Sequence, residues 1–202
     1  AMALQQWYFM NKAKNWSEFK SALEQNHLAM FNIIYADKQD NIFYVSNGKM
    51  PYRNPDPKYH WNSTLPGNTR ATLWDKFKPF NELPQHLNPA SGYLFNTNHS
   101  PFKAGALADT LSAAAHPKEM GFDLRDNNRS VRFRELMPEE GKISWQQFNQ
   151  LKFDQTLPKD LAFRTNLQAL FTLNSDKYPD LKAQITTLAT WNKEADVTSE
   201  GA

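Results

Sequence analysis

The sequence predicts an α+β protein in which helices, a β-hairpin, a long loop rich in aromatic residues and proline, and a mostly helical half follow one another. Three observations predict this class. Apolar residues recur at helical spacing at the start of the chain and again after residue 112, and two β-rich runs lie within 29–46. Between them, residues 47–112 contain no periodic run longer than about six residues. The length of 202 residues favours a single domain.

Residues 1–28 are predicted to form two helices. Apolar residues at near-helical spacing predict an amphipathic helix over 3–14. Asn15 and Glu18 form a capping-box pattern, so we expect the second helix to begin after Asn15 and to end near residue 25.

The clearest strand signal is a β-hairpin over residues 29–46. Residues 29–36 and 41–46 are β-rich runs, and the polar residues 37–40 separate them. Both runs are apolar at nearly every position. This pattern predicts a sheet that is covered on both faces.

A long loop region is predicted over residues 47–112, because prolines and glycines interrupt every pattern there. A loop of this length is uncommon in a compact domain and is usually functional. Aromatic residues make up 13% of the chain, and many of them fall in this region. Two interpretations stay open: the aromatic side chains pin the loop to the body, or they form a binding surface.

Residues 113–194 are predicted to be mostly helical, and residues 195–202 to be a polar tail. Ser144 and Gln147 form a second capping-box pattern, and Pro179 stands at a favoured first helical position. The predicted helices cover residues 126–137, the segment after Ser144, residues 159–173 with Phe163 and Leu167 among their apolar residues, and residues 179–191.

Composition excludes several classes of protein. A net charge of +2 is too small for an electrostatic nucleic-acid binder. The absence of cysteine excludes a disulfide scaffold, a thiolate metal site and a cysteine nucleophile. The longest apolar stretches are far shorter than the roughly 20 residues of a membrane helix. The chain contains no phosphate-binding glycine loop and no nucleophile elbow, and its histidines are too scattered to indicate a metal site.

We expect both ends of the chain to be cuts made inside a larger protein. An alanine before Met2 is typical of tag removal, and no basic segment followed by an apolar run opens the chain as a signal peptide. Residues 194–202 are polar and carry no packing pattern.

A dense group of polar side chains occupies residues 96–101, directly after an apolar run. Asx-turn chemistry at the end of a strand accounts for such a group. An asparagine amide in the same place could donate a hydrogen bond to a developing oxyanion. The sequence pattern leaves both interpretations open.

A second polar group places four arginines in one helical segment. A solvated helix face is the usual role of such residues, and an inward-facing arginine could instead orient a substrate. The four residues are Arg125, Arg129, Arg132 and Arg134.

Short sequence blocks within residues 4–137 stand in an order and at a spacing that are specific when taken together. The blocks are Lys12-Ala13-Lys14-Asn15-Trp16, Asn32-x-x-Tyr35-Ala36-Asp37, Asn41-Ile42-x-Tyr44 followed by Gly48, Pro51 and Arg53, Leu87-Asn88-Pro89-x-Ser91-Gly92-Tyr93, and Asn96-x-Asn98-x-Ser100-Pro101. With these blocks the chain resembles the penicillin amidase family. Ile42-Phe43-Tyr44, Asn47-Gly48 and the run from Ile143 to Asp154 look closer to the acyl-homoserine lactone and aculeacin acylases of that family than to its penicillin G enzymes.

The resemblance implies an N-terminal nucleophile (Ntn) hydrolase with a four-layer αββα fold. Residues 1–202 would then be an internal fragment of the catalytic domain in the large subunit. In this family the N-terminal serine of the processed large subunit attacks the substrate amide through its own α-amino group. That serine should lie upstream of Ala3, so the fragment alone is expected to be inactive. The implied substrate is an acyl amide of the penicillin, N-acyl homoserine lactone or lipopeptide type, which would link the parent to antibiotics or quorum sensing.

Partners and location also follow from the resemblance. The implied partners are a small-molecule acyl amide and the remainder of the same precursor, namely the small subunit and the rest of the large subunit. The family is periplasmic or secreted and requires no cofactor. We expect neither nucleic acid nor a membrane span as a partner. Exposed sheet edges invite pairing with another chain, so self-association of the fragment is a further expectation.

Two residues match catalytic positions of the family. Asn98 matches the asparagine whose side-chain amide helps to form the oxyanion hole, and the loss of one such donor typically costs ~3 kcal/mol. Arg129 matches the arginine that orients the substrate and supports the nucleophile.

Four further residues match positions with binding roles. Asp109 and the carbonyl of Pro57 match positions that serve a structural calcium ion in some members, although a hard cation needs six or more oxygen ligands. Phe31 and Trp74 are candidates for the apolar wall of an acyl pocket.

Two alternatives to an acylase stay open at this point. The aromatic loop could grip a carbohydrate or a peptide without chemistry, as a binding module does. The chain could also be a structural domain whose motifs serve packing alone.

Overall fold

The computed structural model describes residues 2–138, 141–162 and 168–201. The chain divides into two compact units, of which the first ends at Arg125 and the second begins at Asp126. Each unit is described by itself below.

Two helices open the first unit. Helix α1 spans Met2–Lys12 and helix α2 spans Trp16–Glu24. The predicted N-cap at Asn15 is confirmed, because the Glu18 backbone N–H donates to Asn15 Oδ1 at 3.0 Å. The reciprocal half of the predicted capping box is shifted by one residue, because the Glu18 carboxylate accepts from the backbone N–H of Lys14, before the N-cap, at 2.9 Å. The bond from the Glu18 N–H satisfies a donor that the first turn of a helix leaves unpaired.

An antiparallel sheet follows, in which the described residues form three strands in the order β1-β2-β3. Strand β1 spans Phe31–Ala36 and strand β2 spans Ile42–Asn47, which confirms the predicted hairpin. The polar loop between them is organised by Asp37, whose carboxylate accepts from the backbone N–H groups of Gln39 and Asn41. Strand β3, Gln85–Leu87, lies in the region predicted as loop and pairs with β2.

The prediction that both faces of the hairpin are covered holds for β2 but is wrong for β1. Residues 43–45 of β2 are buried on both sides of the sheet, since β2 is the central strand. Strand β1 is an edge strand, and Phe31 and Ile34 are 46% and 48% exposed. An unbroken apolar pattern therefore does not guarantee burial, because edge position is decided by pairing.

The hydrophobic core of the first unit draws on segments far apart in sequence. It joins α2 and β2 to residues of the predicted loop region and beyond. Its buried members are Leu23, Phe43, Val45, Met50, Phe80, Leu83 and Met120.

Some aromatic residues of the loop region are buried and others are exposed. Phe80, Phe95 and Phe102 are buried, which confirms that such side chains pin the loop to the body. Trp74 and Phe77 instead remain exposed, at 57% and 39%.

Residues 113–194 were expected to be mostly helical, but the first part of this region, residues 113–125, forms no α-helix. The segment contains only the short 3₁₀ turns Ala113–Ala115 and Lys118–Met120. The second turn ends at Gly121, which adopts the left-handed conformation at φ 73°. Pro117 precedes this turn, and a proline disfavours the helical conformation of the residue before it.

Three α-helices lie in the described part of the second unit. They are α3 at Asn128–Leu136, α4 at Trp145–Lys152 and α5 at Lys182–Thr190. The predicted capping box of α4 is confirmed, because the Ser144 hydroxyl accepts from the Gln147 backbone N–H at 3.2 Å. A 3₁₀ turn, Pro179–Leu181, precedes α5 in place of the predicted first helical turn.

The helix predicted over residues 159–173 is not formed as expected. Of the residues described there, 159–162 are not helical and Gln168–Thr172 form a 3₁₀ segment. The backbone N–H groups of Lys159 and Ala162 donate to side chains of α3 instead of to a helical ladder. Phe163 and Leu167, predicted on the apolar side of this helix, lie outside the described residues.

Candidate functional site

The polar cluster predicted at residues 96–101 sits in a compact loop of the first unit, which we call the Asn98 loop and define as residues 95–104. Its two ends are joined, because the Phe95 backbone N–H donates to the Ala104 carbonyl at 2.8 Å. Phe95, Ala104 and the intervening Phe102 are buried. The loop is therefore anchored at both ends and in its second half.

Asn98 occupies the exposed tip of the Asn98 loop. Its backbone is left-handed, with φ 61°, and its N–H donates to Asn96 Oδ1 at 3.1 Å. Asparagine is one of the few residue types that tolerate this conformation. The Asx-turn interpretation of the cluster is thus confirmed for Asn96. This turn presents the side chain of Asn98 at the surface.

His99 fills the inside of the same loop and is 6% exposed. Its ring stacks on Phe95 with the centroids 4.6 Å apart. Nε2 lies 2.8 Å from the Lys103 carbonyl oxygen, and Nδ1 lies 3.3 Å from the backbone nitrogen of Thr97. In the sequence, His99 is both a member of the polar cluster at residues 96–101 and one of five scattered histidines, and neither pattern indicates this position inside the loop. The one local signal is its spacing, since a histidine two residues after Thr97 is close enough to accept a hydrogen bond from the Thr97 backbone N–H.

Residues from separate sequence blocks meet beneath the loop. The hydroxyl of Tyr44 on β2 donates to Asn32 Oδ1 on β1 at 2.7 Å. Tyr44 is fully buried, and burial raises the pKa of its hydroxyl while the neighbouring Asn96 side chain offsets part of the rise. Asn96 therefore links the sheet to the Asn98 loop, which gives the spacing of these blocks a packing reason.

The chemistry available at Asn98 is hydrogen-bond donation by a neutral amide. Such a group can stabilise negative charge that develops on a carbonyl oxygen, and a turn that is already formed donates without reorganisation. A buried loop body with one exposed amide at its tip has the form of such a donor site.

Arg129 lies in the first turn of α3, in the second unit, and its side chain is exposed. The turn is fixed by a capping box in which the Ser130 backbone N–H donates to Asn127 Oδ1 and the Asn127 N–H donates to Ser130 Oγ, both at 3.0 Å. Asn128 adds a third anchor, because its Oδ1 accepts from the Ala162 N–H at 2.5 Å. The backbone of Arg129 is thus held by its neighbours.

Arg125, Arg132 and Arg134 of the predicted cluster form ion pairs with carboxylates. Arg132 binds Asp154 through two nitrogens at 2.9 and 3.0 Å, and Arg134 contacts Asp126 at 2.7 Å. Arg125 pairs with Asp123 at 3.1 Å. These pairs give the three residues structural roles.

The two predicted calcium positions do not make a metal site between them. The Asp109 carboxylate accepts from the Ser91 backbone N–H at 3.3 Å, and Pro57 is exposed. Within the residues described, no group of three or more histidine or carboxylate side chains could hold a metal ion. Because Ca²⁺ takes six to eight oxygens, these two residues alone do not fit the ion.

The two predicted wall residues are both exposed aromatic side chains. The ring of Phe31 contacts Trp7 of α1 edge-on, with the centroids 5.7 Å apart. The ring of Trp74 lies 5.9 Å from the guanidinium carbon of Arg53, which also approaches Trp61. Both aromatic residues therefore present apolar surface, as a pocket wall requires.

No helix in the described ranges is both long and apolar enough to cross a membrane.

Known proteins give the fold and the family of this chain. A curated relative, "Penicillin G acylase" from Escherichia coli, is 37% identical over 108 residues, which make up 52% of this chain and 12% of the relative. A solved structure, "Thermostable Penicillin G acylase from Alcaligenes faecalis in orthorhombic form", matches with a TM-score of 0.63 at 25% identity. That match covers 96% of this chain and 32% of the other chain.

These matches confirm the predicted α+β class and its relation to the Ntn-hydrolase fold of the penicillin acylases. The chain spans about an eighth of the curated relative and about a third of the solved chain. Both relatives are penicillin G acylases, and the expected closer likeness to acyl-homoserine lactone acylases stays a prediction. The family model described as penicillin amidase matches residues 1–202, and the chain therefore belongs to the penicillin amidase family.

Proposed function

We propose that the parent protein is an acylase, that it hydrolyses the amide bond between an acyl chain and an amine, and that this chain supplies its oxyanion donor, Asn98. The substrate class is a penicillin-, N-acyl homoserine lactone- or lipopeptide-type amide. The observation that carries the proposal is the exposed amide of Asn98 on a loop whose ends and interior are buried and hydrogen-bonded.

In this proposal the serine and Asn98 have different roles in the reaction. The N-terminal serine of the processed large subunit attacks the substrate carbonyl, and the carbonyl oxygen gains negative charge in the tetrahedral intermediate. The Asn98 side-chain N–H donates to that oxygen and stabilises the transition state more than the bound substrate. The chain alone, without the serine, has no turnover.

The oxyanion role is tested by two substitutions in the full-length enzyme. We expect Asn98→Ala to lower kcat at least about 100-fold while precursor processing continues. Asn98→Gly removes the same amide but tolerates the left-handed backbone, so it should lose as much turnover with no loss of thermal stability. Near-normal turnover in both variants would disprove the oxyanion role.

Arg129 is proposed to orient the substrate and to support the nucleophile. A guanidinium held on a capped helix turn can form two parallel bonds to a carboxylate or carbonyl group, which a lysine cannot reproduce. We expect both Arg129→Ala and Arg129→Lys to impair turnover or maturation. The matched control is Arg125→Ala, which removes another exposed arginine and should leave both intact. An unchanged Arg129→Ala enzyme would remove this role.

The remaining features of the proposal concern the setting of the site. Phe31 and Trp74 would form part of the acyl pocket wall, and Asp109 and Pro57 would join ligands from the rest of the precursor around a structural calcium ion. The small subunit and the rest of the large subunit would complete the enzyme in the periplasm or outside the cell. A binding module would behave differently, because the isolated chain would then bind an acyl amide and change its tryptophan fluorescence.

A further inference from the structure

We propose that His99 is a positioning residue, which holds Asn98 in the conformation that donates to the oxyanion. This inference rests on the proposed role of Asn98. It is carried by the contacts of the buried imidazole with residues on both sides of Asn98.

The surroundings of the ring determine where its proton sits. The Lys103 carbonyl oxygen can only accept a hydrogen bond, so Nε2, at 2.8 Å, carries the proton and donates. The Thr97 backbone N–H can only donate, so Nδ1, at 3.3 Å, accepts. The imidazole is therefore neutral, with its proton on Nε2. The Thr97 hydroxyl, 3.1 Å from Nδ1, can donate to the same nitrogen.

The two bonds act on different parts of the Asn98 loop. The Nδ1 bond closes the turn around Asn98 itself, because it joins the residue before Asn98 to the residue after it. The Nε2 bond ties this turn to the 3₁₀ segment Pro101–Lys103, whose Pro101 and Phe102 are buried. Stacking on Phe95 fixes the plane of the ring. Together these contacts connect the turn that carries the exposed Asn98 to buried residues of the first unit, and so restrict its movement.

Two amide substitutions separate the two bonds. In His99→Asn, the side-chain oxygen stands as many bonds from the backbone as Nδ1 does and can accept from Thr97. In His99→Gln, the side-chain nitrogen can reach toward Lys103, but the side-chain oxygen stands one bond farther from the backbone than Nδ1, so no acceptor takes the place of Nδ1 beside Thr97. If turn closure positions Asn98, His99→Gln should lower kcat about tenfold or more with little change in KM, and His99→Asn should recover most of that loss.

The experiment uses the full-length enzyme, with kcat expressed per active site counted by titration with a covalent inhibitor of the nucleophile. His99→Gln is also placed in the Asn98→Gly background. A residue that acts only through the Asn98 amide has nothing left to position there, so the double variant should turn over as fast as Asn98→Gly alone.

The outcomes separate this inference from the proposed function. Near-normal kcat in Asn98→Gly overturns the oxyanion role and the His99 inference with it. A large loss in Asn98→Gly with near-normal kcat in His99→Gln overturns the His99 inference alone. An equal further loss in the double variant also overturns it, because His99 would then support the fold in general. The same holds if His99→Asn loses as much turnover as His99→Gln.

Discussion

Asparagine and aspartate residues adopt the left-handed backbone conformation at several turns of this chain. Among the described residues, four of the five non-glycine residues with positive φ are of these types. Asn26 donates through its side chain to the Lys78 carbonyl, and Asn88 accepts through its side chain from the Ile42 backbone N–H at the end of the hairpin. Asn98 belongs to this group by its backbone, and its side chain is exposed at the tip of the loop.

Gly48 is a residue at which only the absence of a side chain permits the packing. It is buried, and a Cβ there would lie 3.0 Å from the Cα of Met30 and 3.1 Å from its backbone nitrogen. Backbone atoms cannot yield as a flexible side chain can. We therefore expect Gly48→Ala to lower the free energy of unfolding by about 1–3 kcal/mol, measured by chemical denaturation.

The matched control for this prediction is Gly67→Ala, because Gly67 is exposed and an added Cβ there meets open space. Its effect should stay within about 0.5 kcal/mol. Equal stability of the two variants would show that the close approach of Gly48 to Met30 does not affect the free energy of unfolding.

At the scale of elements, the sequence predicted helix caps and the hairpin, which depend on nearby residues. It did not predict strand β3, which depends on pairing with a distant segment. The N-cap bonds of Asn15 and Ser144 join residues three positions apart, so the local sequence contains the whole interaction. The hairpin is likewise local. Strand β3 is three residues long and exists because it pairs with β2, about 40 residues away, and no pattern within three residues can indicate that.

The ion pair between Arg132 of α3 and Asp154, just after α4, links two elements of the second unit. The hydrogen bonds from Arg132 outweigh the effect of burial and hold the pKa of Asp154 below its usual value. Because the pKa is lowered on folding, the pair stabilises the protein above the usual carboxyl pKa of about 3.9, and this stability is lost as the pH falls through the lower folded pKa.

We therefore expect Asp154→Asn to lower the free energy of unfolding by about 1–2 kcal/mol at neutral pH and to flatten its dependence on pH below about 4. Denaturation curves between pH 2 and 7, a range chosen to span the carboxyl pKa of about 3.9, would measure both effects. Asp160→Asn, at an exposed aspartate, serves as the control and should change neither. An identical acid dependence in Asp154→Asn and the unmodified chain would contradict the role of the pair.

At the scale of the whole molecule, the exposed edge of β1 is the most consequential surface of the first unit. An edge strand carries unpaired backbone N–H and C=O groups, and here apolar side chains accompany them. Met30, Phe31 and Ile34 are 65%, 46% and 48% exposed. In the parent protein, the remainder of the precursor is the proposed partner of this surface.

For the isolated chain we expect self-association through this edge. A charged residue on an edge strand opposes pairing, so Ile34→Lys should shift the chain toward the monomer in gel filtration with light scattering. Leu73→Lys is the control, because Leu73 is 54% exposed but lies outside the sheet. A monomeric unmodified chain, or an equal shift in both variants, would contradict association through β1.

The sequence by itself determined the starts of α2 and α4, the hairpin and the family, because each of these depends on residues close together or on motifs in a fixed order. Only the tertiary structure decided that β1 lies at an edge of the sheet, that Phe80 and Leu83 of the apparent loop belong to the core, and that His99 contacts residues on both sides of Asn98. The physical reason is the same in each case. Burial and pairing depend on neighbours that are distant in sequence, and a local pattern does not specify those neighbours.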